Sequence, residues 1–361
     1  MAPSSLTLSL SLSRAGRVVA FPLLLLAVQG VSAPPMAAQG ASGYHLARKI
    51  AVGGDGGWDY ALVDGDRLYT SHASKLVVLD LTKEAVIGEV PNTNGIHGVA
   101  LATALGRGFT SNGRDTTVTI FDLKTFATIG TVKVTGANPD AIHFDAATQR
   151  VFTFNGRGEN STVIDAKTGK VLATIPLPGK PEFAQSDGKG HLYVNIETDT
   201  GQIVVIDTKA MKEVSRYWLP GCEEPSGLAL DRAHTRLFSV CGNSQMAVSD
   251  PATGKVVTLV PIGPGVDAAG YDPETKLVFA SNGGDGTLSV IRQESADRYT
   301  LVENVATQRG SRTMALDPKT HRVYLAAAEY GAAPAPTTPG GRPGRPPMLP
   351  GSFAILVVER K

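Results

Sequence analysis

Seven residues that could bind a ligand or transfer a proton recur about every 42 residues along the chain. They are Asp59, His97, Asp140, Glu182, Ser226, Asp267 and Arg312. Four of the seven are carboxylic acids, and a proline directly precedes three of them, as in Pro139 before Asp140 and Pro225 before Ser226. If the repeats form a closed ring, we expect these side chains to surround one mouth of a central channel.

Three interpretations of this ring remain open. Its carboxylates could hold innermost loops by accepting backbone N–H bonds. They could instead focus negative potential on a cationic or polyhydroxylated ligand. In the third interpretation the ring binds a divalent cation or performs acid–base chemistry, because neighbouring carboxylates separate their pKa values. The metal-ligand candidates are Asp59, His97, Asp140 and Glu182. The catalytic candidates are His97, Asp140 and Glu182.

Further ligand candidates lie between the second and third strand of each repeat. Arg114 and Arg157 are candidates because a turn has no need of a guanidinium group. Trp58 precedes Asp59 and could either stack on a ligand or pack in the core. Recurrent asparagines in the same segments, including Asn112, Asn155 and Asn282, are expected to turn the chain, because asparagine tolerates left-handed backbone.

A second recurring pattern shows which elements must position these residues. Aliphatic or β-branched runs end at Asp80, Asp122, Asp165, Asp207 and Asp250, and similar runs end at Arg292 and Glu359. Successive ends lie 42 or 43 residues apart, except for a last interval of 67. Residues 331–351, which are rich in Gly and Pro, account for most of that excess. The chain therefore contains seven repeats, one of which carries an insertion.

Each repeat contains four strand-like segments separated by turn residues. In the third repeat these segments are residues 141–145, 151–155, 161–165 and 170–176. Four strands in about 42 residues predict one blade of a β-propeller. The seventh repeat lacks its fourth strand, and residues 44–52 can supply it. We therefore predict an all-β, seven-bladed propeller of antiparallel strands, closed by the N-terminal strand in the last blade.

The repeat units resemble a known family. Residues 192–195 (Leu-Tyr-Val-Asn), 204–207 (Val-Val-Ile-Asp) and 281–287 resemble the YVTN-type, YncE-like family of seven-bladed propellers. The resemblance covers residues 44–361 and implies the same fold. It implies little about function, because the blades are a scaffold on which different sites are built.

The N-terminus has the features of an export signal. Arg14 and Arg17 precede an apolar run at residues 18–28, which is shorter than a comfortable membrane span. Small residues follow, and cleavage is expected after Ala33 or near Ala38. We therefore predict a signal peptide at residues 1–38 and a propeller at 39–361, in a bacterial periplasmic or secreted protein without a transmembrane segment. An uncleaved N-terminal anchor is the alternative.

Two other features follow from export and from the insertion. Cys222 and Cys241 map to the same end of the fifth repeat, and in an exported chain they predict a structural disulfide. A thiol nucleophile is the alternative. The insertion at 331–351 could be a lid, a partner-binding polyproline segment or a tolerated loop. Arg342 and Arg345 would give it a basic tip.

Composition narrows the classes of function. The chain has 34 Lys and Arg against 33 Asp and Glu, so net charge gives no argument for nucleic-acid binding. We expect a monomer that binds a small molecule or protein at the acidic mouth. No cofactor is named by the sequence, although a divalent cation fits the ring. The alternative function is a hydrolase or lyase that uses the same site.

Overall fold

The computed structural model describes residues 42–334 and 344–361, which contain 28 β-strands and one short 3₁₀ turn. The predicted signal peptide at residues 1–38 lies outside the described residues. Among those that are described, no helix is long and apolar enough to cross a membrane. The strands form seven antiparallel four-stranded sheets.

The first three blades follow one another along the chain. Blade 1 contains β2 (Ala61–Asp64), β3 (Arg67–His72), β4 (Lys75–Asp80) and β5 (Ala85–Val90). Blade 2 contains β6 (Ile96–Ala102), β7 (Arg107–Asn112), β8 (Thr117–Asp122) and β9 (Thr128–Lys133). Blade 3 contains β10 (Pro139–Asp145), β11 (Arg150–Asn155), β12 (Asn160–Asp165) and β13 (Val171–Pro176). The third blade therefore matches its predicted strands to within two residues.

The remaining four blades complete the ring. Blade 4 contains β14 (Lys180–Ser186), β15 (His191–Glu197), β16 (Gln202–Asp207) and β17 (Lys212–Trp218). Blade 5 contains β18 (Pro225–Asp231), β19 (Arg236–Cys241), β20 (Gln245–Asp250) and β21 (Lys255–Pro261). Blade 6 contains β22 (Val266–Asp272), β23 (Leu277–Asn282), β24 (Thr287–Ser295) and β25 (Arg298–Ala306). Blade 7 contains β26 (Met314–Asp317), β27 (Arg322–Ala327), β28 (Ala354–Arg360) and β1 (Tyr44–Ala51).

The last blade closes the ring with strands from both ends of the described chain. Its order is β1-β28-β27-β26, and β1 pairs with β28 from Tyr44 opposite Arg360 to Ala51 opposite Ala354. The Tyr44 hydroxyl also donates a 3.0 Å hydrogen bond to the carbonyl of His321. The predicted seven-bladed architecture and its closure by the N-terminal strand are confirmed.

Aromatic side chains fill the space between neighbouring blades. In each blade, the third residue of the second strand is aromatic and buried. These seven residues are Tyr69, Phe109, Phe152, Tyr193, Phe238, Phe279 and Tyr324. Phe109, for example, packs with Val151 and Ile164 of the next blade. Burial of each such ring contributes roughly 1.5–3 kcal/mol, so these contacts, with the aliphatic residues around them, help to hold neighbouring blades together.

The aspartates that revealed the repeat are turn residues. Oδ1 of Asp165 accepts hydrogen bonds from the backbone N–H of Thr168 at 2.7 Å and from its hydroxyl at 2.8 Å. Asp80 and Asp122 each accept two backbone N–H bonds in the same way. Where Arg292 replaces the aspartate, no turn begins, and β24 and β25 form a longer hairpin in which each strand has nine residues.

The insertion returns to the seventh blade through contacts that the structure describes at its two ends. Tyr330 forms an isolated bridge with Met348, and the backbone N–H of Gly351 donates a 3.1 Å hydrogen bond to Asp55. Arg345 is exposed. Arg342 and the rest of residues 335–343 lie outside the described part of the chain.

Candidate functional site

β-Bulges place most of the ring residues. In blades 2 to 6 the register between the first and second strand shifts by a bulge, and the ring residue lies inside it. The bulges contain His97, Asp140, Glu182, Ser226 and Asp267. The sequence predicted these residues just before the first strand, but pairing begins earlier. A bulge re-aims its side chain, so the residue leaves the alternation of the strand and faces the channel.

Left-handed residues before the bulges bring the loops together. Asn138 has φ 56° and precedes Pro139 and Asp140. In blade 2 the equivalent residue is Gly95, with φ 63°, and a Cβ there would lie 2.7 Å from the Cβ of Arg114. Glycine at position 95 thus allows the entry to the first strand to lie directly against the loop that carries Arg114.

All seven ring residues line one cavity of about 840 Å³. We call this cavity the acidic cup. The other sequence-predicted candidates, Trp58, Arg114 and Arg157, line it as well. Its volume is that of a site for a small ligand. Other residues that line it include Glu197, together with Tyr60, Lys180, Phe183 and Glu224, which the sequence did not mark as ligand candidates.

Two aromatic rings form the floor of the acidic cup. Tyr60 on the first blade stacks on Phe183 on the fourth, with centroids 4.6 Å apart and planes inclined by 19°. Both residues also line a second cavity of about 360 Å³, which contains Leu62, His143 and Gln185. The stacked pair therefore separates the two cavities, and the acidic cup is closed at its base.

His97 lies between two carboxylates. Its Nδ1 is 2.5 Å from Oδ2 of Asp59 and 3.5 Å from Oδ1 of Asp140, and its ring also bonds to the side chain of Asn138. Burial opposes a charge on His97, but the Asp59 hydrogen bond and the charge of Asp140 outweigh it and raise the pKa of the imidazole. Burial raises the pKa of Asp140 to about 6, against the opposing charge of His97.

Arg312 joins two other carboxylates of the ring. Its Nη2 is 3.3 Å from Asp59 and its Nε is 3.3 Å from Asp267. Burial raises the pKa of Asp267 to about 7, although Arg312 lowers it in part. Asp59 thus accepts hydrogen bonds from both His97 and Arg312, and these contacts connect blades 2 and 7 at the mouth.

Lys180 forms a third charged cluster with Glu182 and Glu197. Its Nζ is 2.7 Å from Glu182, and it also donates a hydrogen bond to Glu197. Burial, the charge of Asp140 and the contact with Glu197 raise the pKa of Glu182, while Lys180 acts in the opposite direction. Burial is the main reason that Asp140, Glu182 and Asp267 attract protons more strongly than usual, whereas hydrogen bonds from Glu182 and Lys180 lower the pKa of Glu197.

The remaining candidates have different surroundings. Arg114 and Arg157 are exposed at the rim and make no hydrogen bond or ion pair with any described residue. Trp58 is half-buried, and its ring lies 5.2 Å from that of Phe353, so it packs in the core and also lines the acidic cup. Both uses that the sequence left open for Trp58 are therefore compatible with its position.

The recurrent asparagines correct one expectation. Asn112, Asn155 and Asn282 end their strands without left-handed backbone. The Nδ2 of Asn112 donates to Thr117 at 3.1 Å and to Thr119 at 2.8 Å, and the other two make equivalent bonds. They hold the hairpin by side-chain bonds across it, so the prediction that left-handed backbone explains them is wrong.

The predicted disulfide is confirmed and lies beside the mouth. Cys222 and Cys241 are bonded, with Cα atoms 5.3 Å apart, and both are fully buried. Cys222 belongs to the loop that carries Glu224 into the fifth blade, and Gly242 follows Cys241. The bond therefore fixes two loops that line the acidic cup.

One group of side chains could hold a metal ion. Ligand atoms of Asp59, His97 and Asp140 lie within 4.8 Å of one another. Their chemistry fits a divalent cation, provided that the proton between Asp59 and His97 leaves. Glu182, the fourth metal candidate, is paired with Lys180 instead.

Comparisons with known proteins agree with this architecture. A chain of Kuenenia stuttgartiensis hydrazine synthase is 17% identical, with a TM-score of 0.64, over 75% of this chain and 92% of that chain. U3-55K is 9% identical, with a TM-score of 0.69, over 86% and 97% respectively. No protein-family model and no curated protein matches the sequence. Identities this low establish the fold alone.

Proposed function

We propose that this protein is an exported binding protein whose acidic cup takes a small ligand with a positively charged group. One observation carries the proposal: four carboxylates from four blades line a single cavity that is closed at its base. Within it, Asp140 and Asp267 have pKa values raised to about 6 and about 7. A bound cation would supply the missing positive charge and favour their ionised forms.

The closed base favours a small molecule over a protein as the ligand. Tyr60 and Phe183 block passage through the channel, and the cavity has the volume of a small-ligand site. Export is supported by the N-terminal sequence and by the Cys222–Cys241 disulfide, which is typical of oxidising compartments. The repeat motifs further support membership of the YVTN-type, YncE-like family.

A second candidate function is a hydrolase or lyase at the same site. The grouping of Asp59, His97 and Asp140 favours it, because these residues could hold a divalent cation in the same cavity as Glu182, a carboxyl group with a raised pKa. Such an enzyme would need Glu182 to exchange a proton with the substrate. Binding without turnover distinguishes the first function from this one.

Thermal melts with a panel of small cations test the proposal. We expect Mn²⁺, Ca²⁺ or an alkylamine to raise the melting temperature of the parent protein, and we expect this rise to be lost in Asp140→Asn. Asp64→Asn is the matched control, because Asp64 is an exposed carboxylate at the other end of β2. If no cation stabilises the parent, or if Asp140→Asn responds as the parent does, the proposed function is wrong.

A further inference from the structure

Two polar groups of the acidic cup lack a hydrogen bond of normal length. Among the described residues, the Asp140 carboxylate has one polar side-chain contact, at 3.5 Å from His97. The Tyr60 hydroxyl is buried and has no hydrogen-bond partner among the described residues. A buried hydroxyl without a partner destabilises the folded protein, so its position favours a ligand that satisfies it.

The Tyr60 hydroxyl also lies among the carboxylates. Burial raises the pKa of Tyr60 well above its usual value, and the charges of four ring carboxylates raise it further. These four are Asp140, Glu182, Asp59 and Asp267. The hydroxyl oxygen can accept an N–H bond from a ligand whose charge these carboxylates attract.

The protein's own cations show which charged groups this ring accommodates. Arg312 places a guanidinium between Asp59 and Asp267, and Lys180 places an ammonium between Glu182 and Glu197. Both are nitrogen cations that donate to pairs of carboxylates. Asp140 lies between these two clusters in the ring, and its nitrogen neighbour, Nδ1 of His97 at 3.5 Å, lies closer to Asp59, at 2.5 Å.

The floor and the rim of the acidic cup further restrict the class of ligand that fits. Tyr60 and Phe183 present aromatic carbon at the base of the cup, which suits methylene groups and offers a bare metal ion few oxygen ligands. At the rim, Arg114 and Arg157 are exposed, unpaired and on neighbouring blades. Two rim guanidinium groups repel a simple cation but attract an anionic group.

We propose that the acidic cup binds a zwitterionic amine, with its ammonium on Asp140 and the Tyr60 hydroxyl. Its hydrocarbon lies on the aromatic floor, and a carboxylate or phosphate at its other end pairs with Arg114 and Arg157. This inference rests on the proposed function, and it specifies the ligand class for the same site. It assigns Tyr60, Arg114 and Arg157 roles in specificity.

Isothermal titration with three probes tests the ligand class. The probes are 5-aminovalerate, which carries both charges, butylamine, which carries only the ammonium, and Mn²⁺. We expect the parent to bind 5-aminovalerate about 10-fold more tightly than butylamine, because only 5-aminovalerate can form ion pairs with Arg114 and Arg157. Replacing both rim residues, as Arg114→Ala with Arg157→Ala, should remove this preference by weakening 5-aminovalerate binding, while butylamine binding stays the same or becomes slightly tighter because the rim no longer repels it.

Variants with unchanged packing identify the inner contacts. Tyr60→Phe keeps the ring and removes the hydroxyl, and we expect it to weaken both amines about 3- to 10-fold, as loss of one hydrogen bond does. Arg292→Ala is the control for the rim variant, since Arg292 is exposed and lies outside the cup. Its binding should equal that of the parent.

The outcomes distinguish failure of the zwitterion inference from failure of the proposed function. If 5-aminovalerate binds no more tightly than butylamine, or if only Mn²⁺ binds, the zwitterion inference is overturned and the proposed function stands. If none of the three probes binds the parent, the inference also fails, and the panel of cations described above then decides whether the function fails with it.

Discussion

The Tyr60 ring on the first blade stacks on the Phe183 ring on the fourth, 4.6 Å away between centroids. Each follows a ring carboxylate directly in sequence, Asp59 in one case and Glu182 in the other. The same two dipeptides therefore provide both charge at the wall and apolar surface at the base of the acidic cup. This arrangement makes the mouth of the channel a closed site.

Closure by the N-terminal strand predicts a strong effect of truncation. A chain starting at residue 52 loses β1 and exposes the edge of β28. A chain starting at residue 42 keeps β1 paired with β28. We expect the shorter chain to aggregate and to lose its cooperative melt, and the longer chain to remain monomeric. Light scattering after size-exclusion chromatography and thermal melts measure this. A monomeric shorter chain with an unchanged melting temperature would refute closure.

The disulfide should stabilise the protein and its mouth. Replacing both cysteines, as Cys222→Ser with Cys241→Ser, opens a loop of 19 residues and should cost on the order of 3 kcal/mol of unfolding free energy. Denaturant titrations of the parent and the double variant measure the difference. Mass spectrometry of unreduced peptides should show the two cysteines linked, and two alkylatable thiols in protein isolated without reducing agent would contradict this prediction.

Ring carboxylates and turn carboxylates should respond oppositely to neutralisation. Burial raises the pKa of Asp140, whereas bonds from Thr168 lower the pKa of Asp165. Asp140→Asn should therefore leave stability at pH 8 unchanged or raise it, because its buried charge is under-compensated. Asp165→Asn should lose about 1 kcal/mol with its charge-assisted bonds. Denaturant titrations compare them. A destabilised Asp140→Asn would indicate that the ring is structural.

How far the sequence predicted this site depends on the range of the contacts involved. The repeat register alone predicted that Asp59, His97, Asp140 and Asp267 share one mouth, because each blade places the same position at the same radius. Tyr60 and Phe183 were missed because each follows a ring residue and has the character of an ordinary strand residue. Their contact spans the channel and depends on the radius of the closed ring, which no local pattern specifies.

Asp267 predicts a pH dependence of stability. Its pKa is raised from 3.8 to about 7 in the folded protein. Between these values the folded state keeps a proton that the unfolded state releases, so the free energy of unfolding falls as pH rises from about 4 to about 7. In Asp267→Asn, the free energy of unfolding should fall by roughly 1–2 kcal/mol less over this pH range than in the parent. This difference is smaller than the full pKa shift would give, because Asp267 is partly exposed. Denaturant titrations at several pH values measure it, with Asp64→Asn as control. Equal slopes for parent and Asp267→Asn would contradict it.

Titration calorimetry of the parent and Asp140→Asn at pH 6 and pH 8 shows whether the acidic cup is a cation site. With 5-aminovalerate, and in parallel with Mn²⁺, we expect binding to the parent that is several-fold tighter at pH 8. The reason is that Asp140 and Asp267, with pKa values of about 6 and about 7, are then ionised. Asp140→Asn should bind weakly at both pH values. If neither probe binds the parent more tightly than Asp140→Asn at either pH, the acidic cup is not a cation site.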